Sequence, residues 1–198
     1  MVVTADLRSR QAEVARSAVL EALVRHLEAG DADSVAMEDL AQEAGLSRRT
    51  IYRYFATRDD LLNAAGEVIT QRMGFPVEVG EAGIADSFRV ASSAMARHPR
   101  LARALLRTTT GRGVRSRYRA ARVAAIRHSI EVATTGMPAS DVARTAGVVA
   151  YLASSHAWVT VQDESGLSAR EAQDAVAWAI ETLLADLKRQ ASHIGGTK

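Results

Sequence analysis

The stretch from Ser47 to Phe55, SRRTIYRYF, concentrates side chains suited to a polyanion. An arginine guanidinium offers two parallel N–H donors, a fork that matches O6 and N7 of guanine in the DNA major groove. Arg48 and Arg49 fall in the first turn of a short predicted helix, the part of an inserted helix that reaches base edges, with Thr50 beside them for a thymine methyl or a hydrogen bond. Ser47, Tyr52 and Tyr54 carry hydroxyls suited to phosphate oxygens, which fix register without reading sequence. Arg53 adds charge to the same helix. Arg58, at the start of the next one, stands where backbone N–H groups already favour an anion. From Ala44 to Arg58 the only charged residues are Arg48, Arg49, Arg53 and Arg58, so nothing acidic inside the stretch balances them. The competing reading is a solvated helix face, where most arginines belong.

Contact with a duplex needs a rigid frame behind these side chains. Met37, Leu40, Ala41 and Ala44 have the i, i+3, i+4, i+7 spacing of a short buried helix, Gly45-Leu46-Ser47 breaks it, and Ser47 is a good N-cap for a second short helix, 48–54, whose Ile51 faces inward. Two short helices joined by a glycine-containing three-residue turn, the second bearing exposed basic and aromatic residues, form a helix-turn-helix pattern. A longer helix precedes it, from about Arg8 to Ala29, with Ala15, Val19, Leu23 and Leu27 on one face and Gly30 at its end. Thr57, with Asp60 three residues on, starts another that Leu61, Leu62, Ala65, Val68 and Ile69 carry to Met73.

The 198-residue chain is 47% hydrophobic and 24% charged, has no cysteine, and contains three prolines that act as punctuation. Alternating β-branched runs are missing, so an almost entirely helical protein of about nine helices is expected, with helices at 84–97, 100–107, 114–134, 140–163 and 169–189. The last has a capping box, Ser168-Ala169-Arg170-Glu171. Gly74–Gly83 reads as the join between a small N-terminal unit and the rest, and TTTGRG, 108–113, as a break. No apolar run is long enough to cross a bilayer and the N-terminus lacks a hydrophobic signal core, so a cytoplasmic location is expected. The five histidines are scattered and no H-E-x-x-H, phosphate-binding glycine loop or nucleophile elbow occurs; we therefore expect no catalytic residue, metal site or cofactor.

LAQEAGLSRRTIYRYFATRDDLL resembles the DNA-binding signature of the tetracycline-repressor (TetR) family of bacterial transcriptional regulators. Leu40-Ala41, Ala44-Gly45-Leu46-Ser47, Tyr52, Phe55 and Leu61-Leu62 fall in register, and Arg58 takes the place of the family's lysine. The resemblance covers about Gln11 to Leu62. Two departures stand out. Gly30 is followed by Asp31-Ala32-Asp33 where the family has an aromatic anchor, and Ala36 stands where a Ser or Thr commonly caps, leaving Ser34 as a substitute.

The resemblance implies an all-helical homodimer: a helix-turn-helix DNA-binding domain over 1–57, a connecting helix over 58–74, and a ligand-binding and dimerisation domain over 75–198. It implies a repressor of palindromic double-stranded operator DNA that a small-molecule inducer releases. A two-fold dimer would present its helices to half-sites about one DNA turn apart, roughly 34–36 Å, or more. For the ligand pocket the sequence offers Phe88, Met95, Leu101, Leu105, Tyr151, His156 and Trp158, residue types that at helical spacing also make plain core. For the dimer interface it offers Val149, Leu152, Val176, Ile180, Leu183 and Leu187. Between Asp86 and Glu131 eleven arginines occur and no acid. That run has three readings: a solvated surface, a second contact zone for nucleic acid or the acidic first helix, or the mouth of a pocket for an apolar, anionic inducer such as an acyl-CoA. The alternative from another class is a helical ligand-binding or adaptor protein whose helix-turn-helix serves protein contact.

Overall fold

A computed structural model describes residues 2–73, 83–134 and 136–195; most of the join, 74–82, lies outside them. Among the described residues there are ten α-helices and no strand: α1 (Val2–Ala29), α2 (Met37–Glu43), α3 (Arg48–Tyr54), α4 (Arg58–Met73), α5 (Ile84–Arg97), α6 (Pro99–Arg107), α7 (Thr109–Ala133), α8 (Ala139–Leu152), α9 (Ser155–Ser165) and α10 (Ala169–Gly195). They form two compact units, Met1–Arg72 with Arg103–Arg117, and Met73–Ala102 with Tyr118–Lys198.

In the first unit the expected apolar positions do meet. Val19, Leu23 and Leu27 of α1, Leu40 of α2, Ile51 of α3, Phe55, and Leu61 of α4 are all buried. Each such side chain contributes about 1.5–3 kcal/mol on leaving water. The caps also form as expected. Thr50 N donates to Ser47 Oγ, and around Thr57 the Asp60 carboxylate accepts from the Thr57 backbone N at 2.9 Å. Ser34, however, caps nothing. Its hydroxyl donates to the Asp31 carbonyl, and Asp39 instead reaches back from inside α2 to accept from Ala36 N at 2.9 Å. Gly45, at φ 68, lets the chain reverse so that Leu46 N donates to Ala41 O at 2.8 Å, setting α3 across α2.

The expected TTTGRG break shrinks to Thr108 alone, because that residue closes α6 and opens α7. Its hydroxyl donates to Ala104 O and accepts from Gly111 N, both at 2.8 Å. Gly111 lies inside α7, where a Cβ would stand 2.3 Å from Ala104 O, so it is a point of close helix approach and not a turn.

In the second unit α5, α8 and α9 pack around α10. Phe88, Met95, Ile126, Ile130, Val142, Val149, Trp158, Val176, Ile180 and Leu187 fill its core. Gln173 of α10 donates to the Arg89 carbonyl at 2.6 Å and to Ser92 Oγ at 2.7 Å, fixing α10 against α5. The Ser168–Glu171 capping box forms in both directions. The single helix expected over 140–163 is two, α8 and α9. Ser154 takes an extended backbone and its hydroxyl accepts from Ala157 N, starting a new helix. Trp158 then buries its ring and donates its indole N–H to Ala169 O at 3.0 Å. Helices α1, α7 and α10 also run further than periodicity indicates, since frayed-looking ends without apolar spacing still extend a helix that tertiary packing has nucleated.

Candidate nucleic-acid interface

Helix α3 buries Ile51 and turns Arg48, Arg49, Tyr52 and Arg53 outward, with Thr50 and Tyr54 partly covered. This orientation follows from the helical period: with Ile51 and Phe55 four apart on the inner face, the residues between them must face away. Ser47 closes the N-terminus, and its hydroxyl lies 2.8 Å from that of Thr50. Arg53 stacks on the neighbouring Tyr54, its guanidinium carbon 5.2 Å from the ring centroid.

An acid does balance part of this face, and it comes from α2. Glu38 accepts a hydrogen bond from the Tyr52 hydroxyl at 3.0 Å, and the same carboxylate oxygen lies 3.2 Å from Arg48 Nε. The Arg48 guanidinium sits 5.9 Å from the Tyr52 ring centroid, one helical turn on. Tyr52 therefore has its one hydroxyl proton committed to Glu38, where the sequence alone suggested a phosphate. The sequence window hid this because Glu38 lies ten positions before Arg48, and only the crossing of α2 and α3 brings them together.

Arg58 requires a correction. Its guanidinium donates to Val35 O at 2.8 Å, Ala32 O at 3.0 Å and Thr110 Oγ1 at 3.1 Å, and the side chain is half-buried. With three acceptors inside the first unit it is a brace, not a phosphate contact. Next to it, the Asp33 carboxylate accepts from Thr109 N at 2.7 Å and Thr110 N at 2.6 Å, capping α7. These backbone bonds, that of Thr110 foremost, hold the Asp33 carboxyl down at about 2. Ala32 is fully buried and its carbonyl also accepts from the Thr110 hydroxyl. A polar clasp thus stands where the aromatic anchor is absent.

A second staple holds α2 to α1. His26 Nε2 lies 2.5 Å from Glu43 Oε1 and Nδ1 lies 2.8 Å from Asp31 Oδ1. Flanked by two carboxylates, Glu43 the stronger, the imidazole has its pKa raised, and Glu43 has its own lowered in return. Arg72 of α4 pairs with Glu21 of α1. These contacts tie α2 and α4 to α1 within the unit that carries α3.

The other anticipated residues are spread more widely. Phe88, Met95, Leu101, Leu105 and Trp158 are buried, whereas Tyr151 and His156 are exposed and meet edge to face, 5.9 Å between ring centroids. Leu105 belongs to the first unit and the other six to the second. A cavity of about 100 Å³ in the second unit is lined by Ile84, Ile130, Ala133, Thr134, Leu184, Leu187 and Lys188, together with Gly83 and Ser129, and by none of these seven. Of the anticipated interface residues, Val149, Val176, Ile180 and Leu187 are buried in the core of their own unit. The period of each helix carries the outward apolar positions to Val148 and Tyr151 on α8 and Trp178 on α10, which are 51%, 53% and 67% exposed. No group of three or more acidic or histidine side chains suited to a metal occurs among the described residues, and no helix among them is long and apolar enough to cross a membrane.

The geometry has relatives. Two uncharacterized HTH-type transcriptional regulators of Mycobacterium tuberculosis, from the CDC 1551 and H37Rv strains, are 35% identical over 86 residues. That match spans 43% of this chain and 43% of each relative. Among solved structures, one from Syntrophomonas wolfei assigned to the TetR family superposes with a TM-score of 0.63 at 14% identity, covering 86% of this chain and 95% of that one. A TetR-family transcriptional regulator from Streptomyces coelicolor gives 0.55 at 17% identity, with 95% and 86% covered. At such identities the superpositions speak for the fold. Residues 19–65, the segment holding the C-terminal part of α1, all of α2 and α3 and the first half of α4, match the profile of bacterial regulatory proteins of the tetR family. Over that segment the chain is similar to the bacterial regulatory proteins of the tetR family.

Proposed function

We propose that the protein is a transcriptional regulator that binds double-stranded operator DNA through α3 and acts as a ligand-responsive repressor. The observation that carries this reading is the outward face of α3, where Arg48 and Arg49 stand exposed in the first turn above a buried Ile51. Arg48 and Arg49 read base edges, Thr50 supports them, and Arg53, Ser47 and Tyr54 meet phosphates. The test is binding to duplex DNA over a salt series. Log affinity falls linearly with log salt as phosphate counterions are released, and Arg49→Ala costs about 1–3 kcal/mol with relaxed sequence preference. Binding indifferent to salt and to Arg49 would instead favour the adaptor reading.

The repressor works as a homodimer through α8 and α10. Support comes from Trp178, Tyr151 and Val148 standing in solvent on two helices that pack together. Gly147 adds to this. It sits mid-helix with open space where a Cβ would be, so nothing among the described residues calls for a glycine that costs a helix about 1 kcal/mol. Close approach of a second copy calls for one. Sedimentation tests it: Trp178→Asp yields a monomer, and a wild-type monomer at micromolar concentration would end the idea. The second unit receives the inducer, and its apolar cavity edged by Lys188 suits the end of a small apolar acid.

A further inference from the structure

We infer that Glu38 is a specificity-determining residue, a positioning group that aims Arg48 at one base; this rests on the DNA-binding reading proposed above. An exposed arginine has four rotatable bonds and, left free, samples many directions at an entropic cost on binding. Arg48 is not left free. Glu38 Oε1 stands 3.2 Å from Nε, on the inner side of the guanidinium, and the Tyr52 ring lies beneath at 5.9 Å. The carboxylate is itself held, because the Tyr52 hydroxyl donates to the same oxygen at 3.0 Å. Engaging Nε leaves the two terminal nitrogens, the fork that matches guanine O6 and N7, on the outward side of a side chain that remains 77% exposed.

The charge argument points the same way. A carboxylate at the edge of a DNA-binding face repels phosphate, so Glu38 lowers affinity for any duplex. A group that weakens binding to all sequences while ordering the base-reading arginine acts on the difference between sequences. Tyr52 is then a strut and not a phosphate ligand.

The test is selection from a pool of duplexes with a randomised 30-bp centre, followed by affinity measurements on the recovered sequence and on an unselected pool. Wild-type protein, Glu38→Ala, Glu38→Gln, Tyr52→Phe and Arg48→Ala are compared, each with its unfolding midpoint recorded. Wild type selects a guanine in each half-site that Arg48→Ala no longer distinguishes, a loss of roughly 5- to 150-fold. Glu38→Ala loses roughly three- to tenfold at that same position and no other, while its affinity for the unselected pool rises about two- to fivefold. Adding Arg48→Ala to Glu38→Ala changes the preference at that position no further than Arg48→Ala alone. Glu38→Gln, which keeps an acceptor for Tyr52, falls between, and Tyr52→Phe leaves binding to the unselected pool unchanged. Glu38→Ala retaining full guanine preference, Arg48→Ala altering no base position, or Tyr52→Phe weakening all sequences alike would each overturn the assignment. Wild-type protein that enriches no duplex brings down the DNA-binding reading itself, a result distinct from these.

Discussion

Asp33→Ala tests whether the clasp between the α1–α2 loop and α7 is energetic or merely geometric. The carboxylate accepts from two first-turn N–H groups of α7, and its pKa falls from 3.8 to about 2. A drop of nearly two units corresponds at face value to about 2.5 kcal/mol. Asp33 is exposed, so solvent screening reduces this, and about 1 kcal/mol is the reasonable expectation, in line with the ~0.5–2 kcal/mol lost when a helix cap is removed. Thr110 is buried, and its orphaned N–H keeps the figure from falling to zero. With a urea dependence of about 2 kcal/mol per molar, the midpoint drops by roughly 0.5 M at pH 7. The sign with pH is fixed. A depressed carboxyl pKa contributes stability that is full above 3.8 and is lost as pH falls toward 2, so the gap between wild type and Asp33→Ala narrows to roughly half at pH 3. Hydrogen exchange near Thr109 and Thr110 quickens in the variant. Coincident midpoints at pH 7, or a gap that is undiminished at pH 3, would refute the reasoning.

Arg58→Met, which keeps the apolar stem but strands the Val35 carbonyl and leaves the Ala32 carbonyl only the Thr110 hydroxyl, lowers stability by about 1–3 kcal/mol and leaves the salt slope of DNA binding unchanged, as urea unfolding and titration would read. Gly111→Ala drives a Cβ into the backbone at Ala104 and Leu105 and costs about 1–3 kcal/mol or more by thermal unfolding, whereas Gly113→Ala meets only the movable tip of Leu62 and costs far less. His26→Gln removes a contribution that is full below pH 6.5 and fades as pH rises through the elevated pKa of His26, so wild type and variant converge in urea midpoint on the alkaline side.

The sequence by itself determined the helical class, the helix-turn-helix with the cap of its second helix, and the outward set on α3. These depend on local rules: the 3.6-residue period fixes which side chains share a face, and Ser47, Thr57 and Ser168 satisfy N–H groups within three residues. The tertiary structure decided everything that depends on which helix crosses which. Glu38 meets Arg48 and Tyr52, Arg58 turns inward, Asp33 reaches Thr109 from 76 residues away, and Gly111 allows α6 to approach α7. The choice of Val176, Ile180 and Leu187 as an outer face failed for the same reason. An apolar stripe states that it will be buried but not against what, and in this chain α5, α8 and α9 cover it, leaving Trp178 outside. Periodicity is a property of one helix; a partner is a property of two, and the distance between them along the chain holds no record of the angle at which they pack.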